Sequence, residues 1–294
     1  MTILQAIILG IVQGLTEFIP ISSTAHLVFA SRLIGLYNGV DATLRAQQTT
    51  ATIAVIQLGT LLAVLVYFAR DIIDITISFV RDHVALLKGK RRVNGSVQLS
   101  PNAWLGWLVI LGSIPVAVVG LLFKHQIEGT FTKNLWVIAT MMIVVAVLLA
   151  VAELVGKRER SMEQLGISDA LAVGFAQVLA LIPGSSRSGS TIMGGLFAGL
   201  TRETAARFSF LLSIPAIAAS GVLELKEAIH KLPPGTHLSL IVATIVSGVI
   251  GYASIWFLLR FLRTHSTGVF IVYRLLVGAA ILAALAGGYI SAAA

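Results

Sequence analysis

Two short polar stretches interrupt an apolar chain, and both carry side chains able to do chemistry. The first is Glu17-Phe-Ile-Pro-Ile-Ser-Ser-Thr-Ala-His26. Pro20 ends one helix, and Ser22 or Ser23 is a natural cap for the next. Capping accounts for one hydroxyl but not for Ser22, Ser23 and Thr24 together. Ser23 and His26 lie three apart and share a face if a helix starts there. A hydroxyl beside an imidazole suits a nucleophile and its base, or an acceptor and its acid. Ser-x-x-His alone is a weak signal, and a lone histidine is more often structural.

The second stretch is Pro183-Gly-Ser-Ser-Arg-Ser-Gly-Ser-Thr191. Gly184 and Gly189 permit close backbone approach, and Ser185, Ser186 and Ser188 supply hydroxyl donors. The free N–H groups that open the following helix attract an anion. Arg187 adds a fork that matches phosphate oxygens two at a time. This is not a Walker loop, because the Gly-Lys-Ser/Thr ending is missing. The plainer reading is a capped turn whose arginine pairs with Glu17. A buried Glu17 suits a general base, an ion-pair partner or a ligand for a hard cation such as Mg²⁺, with Gln13 one helical turn earlier assisting through its carbonyl. Anion clamp, cation ligand and nucleophile together meet the needs of phosphoryl transfer.

The elements that position these residues must be membrane helices. Of 294 residues, 57% are hydrophobic and 12% charged, about half the charge of a soluble domain, and the mean hydropathy is +0.93. Long unbroken apolar runs argue against a β-barrel. Without cysteine there is no disulfide or thiolate chemistry. The net charge is +8, and the densest run of Lys and Arg, six of them, lies between Arg70 and Arg92, which in a membrane chain reads as a cytoplasmic loop rather than a nucleic-acid patch. No Lys or Arg precedes Arg32, so a cleaved signal peptide is not expected.

Six segments near 49–68, 103–123, 134–155, 206–224, 238–262 and 269–291 are long enough to span. Four shorter ones, near 2–18, 23–36, 168–182 and 188–200, form pairs broken at the polar stretches and are expected to be re-entrant hairpins. Broken backbone at that depth survives only inside protein or beside a wet cavity. The two hairpins also match each other. Gly10, Gln13, Leu15, Pro20, Ser22 and Ser23 fall into register with Gly174, Gln177, Leu179, Pro183, Ser185 and Ser186 when one residue is skipped. Three spans follow each hairpin, which predicts a single all-α domain of two inverted repeats, about 1–156 and 166–292. Loops 69–102, 156–166 and 260–267 hold six, three and two Lys/Arg, against two each in 124–133 and 225–237. This places the first set in the cytoplasm and both termini outside. Glu17, His26 and Arg187 are the ionisable residues expected within the membrane, whereas Glu153, Glu224 and Arg274 read as interface anchors near segment ends.

At these turns the chain resembles the undecaprenyl-diphosphate phosphatase family, also called bacitracin-resistance proteins. The resemblance is carried by Gln13-Gly-Leu-Thr-Glu17, Ser22-Ser-Thr-Ala-His26, Pro183-Gly-Ser-Ser-Arg-Ser-Gly189 and Phe208-Ser-Phe-Leu-Leu-Ser-Ile-Pro215, and it covers nearly the whole chain. Ala25 stands where many members have glycine. The resemblance implies hydrolysis of a polyprenyl diphosphate to its monophosphate in the bacterial cytoplasmic membrane, recycling the lipid carrier of cell-wall synthesis and conferring bacitracin resistance. It also implies a divalent cation, Mg²⁺ or Ca²⁺, at Gln13 and Glu17, a catalytic pair of Ser23 and His26, and Arg187 as the phosphate clamp. Ser23 is the expected nucleophile, with His26 its acid–base partner, although the resemblance leaves open which of the two attacks. Membrane lipids are the expected surroundings, no nucleic acid is implied, and a homo-oligomer is left open. The competing reading is a transporter or flippase of a phosphorylated lipid, since broken helices in inverted repeats also mark transporters. Hydrolysis persists in detergent, whereas transport needs a sealed vesicle.

Overall fold

A computed structural model describes residues 1–89, 92–93, 96–123, 134–232 and 235–292. Helix α1 (Ile3–Phe18) opens on a capping box in which Thr2 N donates to Gln5 Oε1 and Gln5 N to Thr2 Oγ1. It closes because Pro20 cannot continue a helix and forces Ile19 into extended backbone, φ −66° and ψ 136°. Helix α2 (Ser23–Leu33) then returns. At 16 and 11 residues the two helices are about 24 and 17 Å long, short of a hydrocarbon core of about 30 Å.

Helix α3 (Ala42–Tyr67) is capped by Asp41, whose carboxylate accepts from Thr43 N and Leu44 N. Phe68 separates it from helix α4 (Ala69–Leu87), after which a two-residue ribbon, β1 (Arg92–Val93) with β2 (Ser96–Val97), precedes α5 (Pro101–Leu122) and α6 (Leu135–Val155). The second hairpin pairs α7 (Ile167–Val178), extended by one 3₁₀ turn to Leu181, with α8 (Arg187–Phe197). Pro183 again puts its preceding residue, Ile182, into extended backbone. Helices α9 (Arg202–Lys231), α10 (His237–Leu262) and α11 (Gly268–Ala286) complete the chain.

Both broken hairpins therefore lie where the sequence predicts them. Among the described residues five helices are long and apolar enough to cross a membrane: most of α3, then α5, α6, α10 and α11. The sixth expected span, 206–224, lies inside the 30-residue α9, which is interrupted by Pro215 and studded with Arg202, Glu203, Arg207, Ser209 and Ser213. The expected loop 69–102 is largely helical. Its exposed apolar residues Ile73, Ile77, Val80, Val84 and Leu87 recur at helical spacing in one stripe, a period that the intervening charges obscure in the sequence.

The packing crosses between halves. Helix α1 of the first hairpin lies along α10, and α7 of the second lies along α5. Small residues make both contacts close: a Cβ on Gly10 would sit 2.6 Å from Ala243 O, and one on Gly174 would strike the backbone of Gly112. Helices α3 and α10 cross where Gly59 meets the Thr244 carbonyl. Around these crossings a core forms from Phe18, Phe68, Phe208 and Phe210, with Phe18 and Phe210 edge to face at 5.4 Å. Ala25 is accommodated in a separate cluster with Leu135, Ile138 and Met142, so its methyl group fills space rather than crowding the turn.

The crossing at Gly59 yields a prediction. Gly59→Ala drives a methyl group into a helix backbone and should destabilise the detergent-solubilised protein by about 1–3 kcal/mol. Gly120→Ala is the control, because its nearest neighbour beyond its own helix would be Leu181 Cδ2 at 3.8 Å. Thermal unfolding of both variants checks this; equal midpoints would contradict the packing described.

Candidate active site

The two hairpin turns meet. Glu17, the penultimate residue of α1, is 8% exposed and receives three donors. Arg187 Nη2 donates to its Oε1 at 3.2 Å, while Gln13 Nε2 at 3.2 Å and Ser23 Oγ at 2.8 Å donate to Oε2. Gln13 Nε2 also lies 3.3 Å from Thr60 Oγ1 on α3. A second contact ties the turns together, Ser188 Oγ donating to Ile19 O at 3.3 Å. Carboxylate and hydroxyl thus come from one hairpin and the guanidinium from the other.

Both return helices start from a serine in left-handed backbone, Ser22 at φ 79° and Ser186 at φ 66°. A non-glycine residue in that region costs about 1–3 kcal/mol and persists only where its surroundings hold it. Ser186 holds itself, its Oγ accepting from Gly189 N at 3.2 Å and lying 3.2 Å from Ser188 Oγ. Ser22 makes no such cap. The matching caps set the structural register. Ser22 pairs with Ser186 and Ser23 with Arg187 without the skipped residue that aligns the prolines, so Ser23 and Arg187 occupy equivalent first positions of their helices. Gly184, at φ +93°, has no room for a Cβ beside Ile138 O.

The other expected site residues are dispersed. Ser185 is fully buried, Thr24 is exposed, and His26 lies away from Ser23. Its Nδ1 is 2.7 Å from Ser22 O and its Nε2 is 2.6 Å from Tyr273 Oη. The expected Ser23–His26 pair is therefore not formed: the Ser23 hydroxyl bonds to Glu17, and both imidazole nitrogens are engaged elsewhere.

Arg274 corrects another expectation. Far from anchoring at an interface, it is fully buried and its guanidinium is surrounded by carbonyls. Nε donates to Met142 O at 3.1 Å and Nη1 to Pro20 O at 3.3 Å. Nη2 lies 3.0 Å from Gly184 O, 3.1 Å from Ser185 O and 3.3 Å from Met141 O. One side chain thereby satisfies the backbone of both turns and of α6. A signal was present in the sequence, since Arg274 stands in Phe270-Ile-Val-Tyr-Arg-Leu-Leu-Val277 with no acidic residue within a helical turn. Glu153, also expected as an interface anchor, lies in the last turn of α6. It accepts from Arg158, Arg202 and Thr267 at the end of α6. Glu224 lies outside the described side chains.

Among the described residues, the buried side-chain polar atoms that find no partner all lie in the two hairpins: Gln13 Oε1, Ser31 Oγ, both amide atoms of Gln177, Ser185 Oγ, Arg187 Nη1 and Ser190 Oγ. Such groups are uncommon in native proteins and need a reason. At the Glu17 centre two of them match ligand chemistry, an amide oxygen for a hard cation and a guanidinium N–H for an oxyanion. The described residues include no group of three or more His, Cys, Asp or Glu able to cage a metal. A cation that keeps water and borrows phosphate oxygens needs only one or two protein oxygens, and Glu17 with Gln13 fits that requirement.

Comparison with known proteins follows the same pattern. A family profile described as "Bacitracin resistance protein BacA" matches residues 6–280. Undecaprenyl-diphosphatase of Syntrophobacter fumaroxidans is 54% identical, with 96% of this chain and 97% of that protein covered. Undecaprenyl-diphosphatase of Chloroherpeton thalassium is 50% identical over 99% of this chain and 100% of its own length, and that of Prosthecochloris aestuarii is 47% identical over the same shares.

Replacing Arg274 tests its part in the site. Arg274→Met leaves buried carbonyls of both turns without donors, each costing about 1–3 kcal/mol. Arg274→Lys should fail similarly, since one ammonium group cannot reproduce the fork. Hydrogen exchange read by mass spectrometry should show faster exchange in peptides holding residues 19–23 and 182–187. Unchanged exchange there would contradict the stapling role.

Proposed function

The chain belongs to the BacA family of bacitracin resistance proteins, and from that premise we propose that it is a membrane undecaprenyl-diphosphate phosphatase whose reaction runs at the Glu17–Ser23–Arg187 centre. The overall reaction takes undecaprenyl diphosphate and water to undecaprenyl phosphate and orthophosphate, which recycles the lipid carrier and confers bacitracin resistance. The observation that carries the assignment of the centre is the Glu17 carboxylate, which holds the Ser23 hydroxyl at 2.8 Å and the Arg187 guanidinium at 3.2 Å, one from each hairpin.

Ser23 Oγ attacks the terminal phosphorus while Glu17 Oε2 takes its proton. The bond from that phosphorus to the bridging oxygen breaks, and undecaprenyl phosphate leaves with the electron pair. Water then attacks the phosphoserine. The Glu17 proton returns to Ser23 Oγ as that bond breaks, and the protons of the water depart with orthophosphate. Arg187, with a free Nη1 and a buried environment that strengthens its field, clamps the terminal phosphate oxygens through both steps. The first free N–H groups of α8 and the Ser186 hydroxyl add donors for the same oxygens, whereas the expected donors Ser185 and Ser188 are fully buried and the Ser188 hydroxyl is bonded to Ile19 O. Gln13 Oε1 and Glu17 would hold a divalent cation, Mg²⁺ or Ca²⁺. When bound, the cation neutralises charge on the diphosphate. Glu17 replaces His26 as the partner of the nucleophile in this scheme.

The prenyl tail lies between helices while the diphosphate reaches the turns. Two inverted repeats with six crossings, both termini outside the cytoplasmic membrane, form the scaffold in this reading. Three features support it: the exchanged packing of α1 on α10 and α7 on α5, the matching left-handed caps, and paired hydroxyl bonds in α3 and α9. In those bonds Thr60 Oγ1 donates to Gln57 O and Ser213 Oγ to Phe210 O.

The test is phosphate release from a long-chain polyprenyl diphosphate by detergent-purified protein, with Mg²⁺ and with chelator. Release should need the cation and fall on the order of 10³-fold or more in Ser23→Ala and Arg187→Ala. Ser23→Ala keeping most of the wild-type rate would remove the serine from the mechanism, and no wild-type release would remove the phosphatase reading.

A further inference from the structure

The left-handed turn that presents Ser23 is held from outside its own hairpin. In the second hairpin the equivalent residue, Ser186, caps its helix with its own hydroxyl. Ser22, at φ 79° and ψ 96°, has no side-chain cap, and its carbonyl instead lies 2.7 Å from His26 Nδ1. A carbonyl only accepts, so Nδ1 must carry the proton of this hydrogen bond. The other nitrogen, Nε2, lies 2.6 Å from Tyr273 Oη, and the two rings stack with centroids 5.6 Å apart and planes 13° from parallel. In a neutral imidazole protonated at Nδ1, Nε2 is an acceptor, which makes the phenol the donor. The chain of bonds thus runs Tyr273 O–H to His26 Nε2, His26 Nδ1–H to Ser22 O.

Resting on the phosphatase reading above, we propose that Tyr273 is a positioning residue of the reaction, holding the His26 ring in place and through it the turn that points Ser23 Oγ at Glu17. The phenol does not touch the reacting atoms. Without the phenol, His26 Nε2 loses its partner and the imidazole is free to turn its Nδ1–H away from the Ser22 carbonyl. Residue 22 then keeps only the 3.4 Å bond from His26 N to that carbonyl, and Ser23, the next residue, loses its fixed aim. Helix α11 holds the same turn twice with consecutive side chains, since Arg274 Nη1 donates to Pro20 O. His26 in this arrangement supplies a backbone donor rather than a base, which explains why its ring lies away from the Ser23 hydroxyl.

The test combines a spectrum with kinetics on the full chain in detergent. In ¹⁵N-histidine-labelled wild type, His26 should show the tautomer protonated at Nδ1, assigned by loss of the signal in His26→Ala, and Tyr273→Phe should show a mixture of the two tautomers. Tyr273→Phe keeps the stacked ring; its kcat for phosphate release from polyprenyl diphosphate should fall about 10-fold or more, with KM and thermal midpoint near wild type. His26→Asn offers a short amide donor in place of Nδ1–H and should be on the order of 10-fold more active than His26→Ala, which a lost base would not allow. A wild-type His26 protonated at Nε2, a Tyr273→Phe enzyme with wild-type kcat, or His26→Asn no better than His26→Ala would each overturn the proposal. Wild type that releases no phosphate would instead sink the phosphatase reading and any claim for this reaction with it, while the spectrum would still report the tautomer.

Discussion

Arg274 donates to the carbonyls of Pro20, Gly184 and Ser185, and without such donors neither turn could exist within a membrane. A broken helix exposes peptide groups that water cannot reach, and each must find a partner in protein. A carboxylate partner would have neutralised Arg274 but left those peptides unsatisfied. The carbonyl cage does the opposite. It disperses the charge over several dipoles from three segments and fixes their relative positions. The distance from Glu17 to Arg187 follows from that fixing, because each sits within a few residues of a caged carbonyl.

The resulting centre is built from two similar hairpins that differ in chemistry. In the ungapped register Gln13 matches Gln177, but Leu181 stands where the first hairpin has Glu17. Gln13 therefore has a carboxylate and Thr60 to bond, whereas Gln177 is buried with neither amide atom satisfied. Conversely Ser23 in the first hairpin is matched by Arg187 in the second. Each half contributes the charge that the other lacks, and the ion pair between them joins the end of α1 to the start of α8.

Much of this was legible in the sequence, for identifiable reasons. Proline and serine are local signals, so the helix breaks at Pro20 and Pro183 and the returns at Ser23 and Arg187 could be placed within a few residues. Charges alone in apolar surroundings also stand out, which picked out Glu17 and Arg187. The pairing of His26 was misread because three-residue spacing says only that two side chains share a face. It says nothing about a carbonyl four residues upstream of the imidazole or a tyrosine some 250 residues away. Arg274 was misread because depth in a membrane is counted from helix ends, and snorkelling explains any arginine a turn or two inside. The amphipathic α4 hid for a related reason: its charges dominate a hydropathy average, while its apolar stripe appears only as a period.

The exchanged packing of the halves has a consequence for how the chain is made. The first hairpin is synthesised before α10, yet the surface that covers Gly10 and Gly14 belongs to that helix, more than 220 residues later. The arginine that cages its turn comes later still. During biogenesis α1 and α2 must therefore wait in the bilayer or at its edge with an uncovered polar break, and the site closes only when the last helices arrive. A chain interrupted before α10 would leave the ribosome with Glu17, Ser23 and Arg187 all present and the packing that brings them together missing.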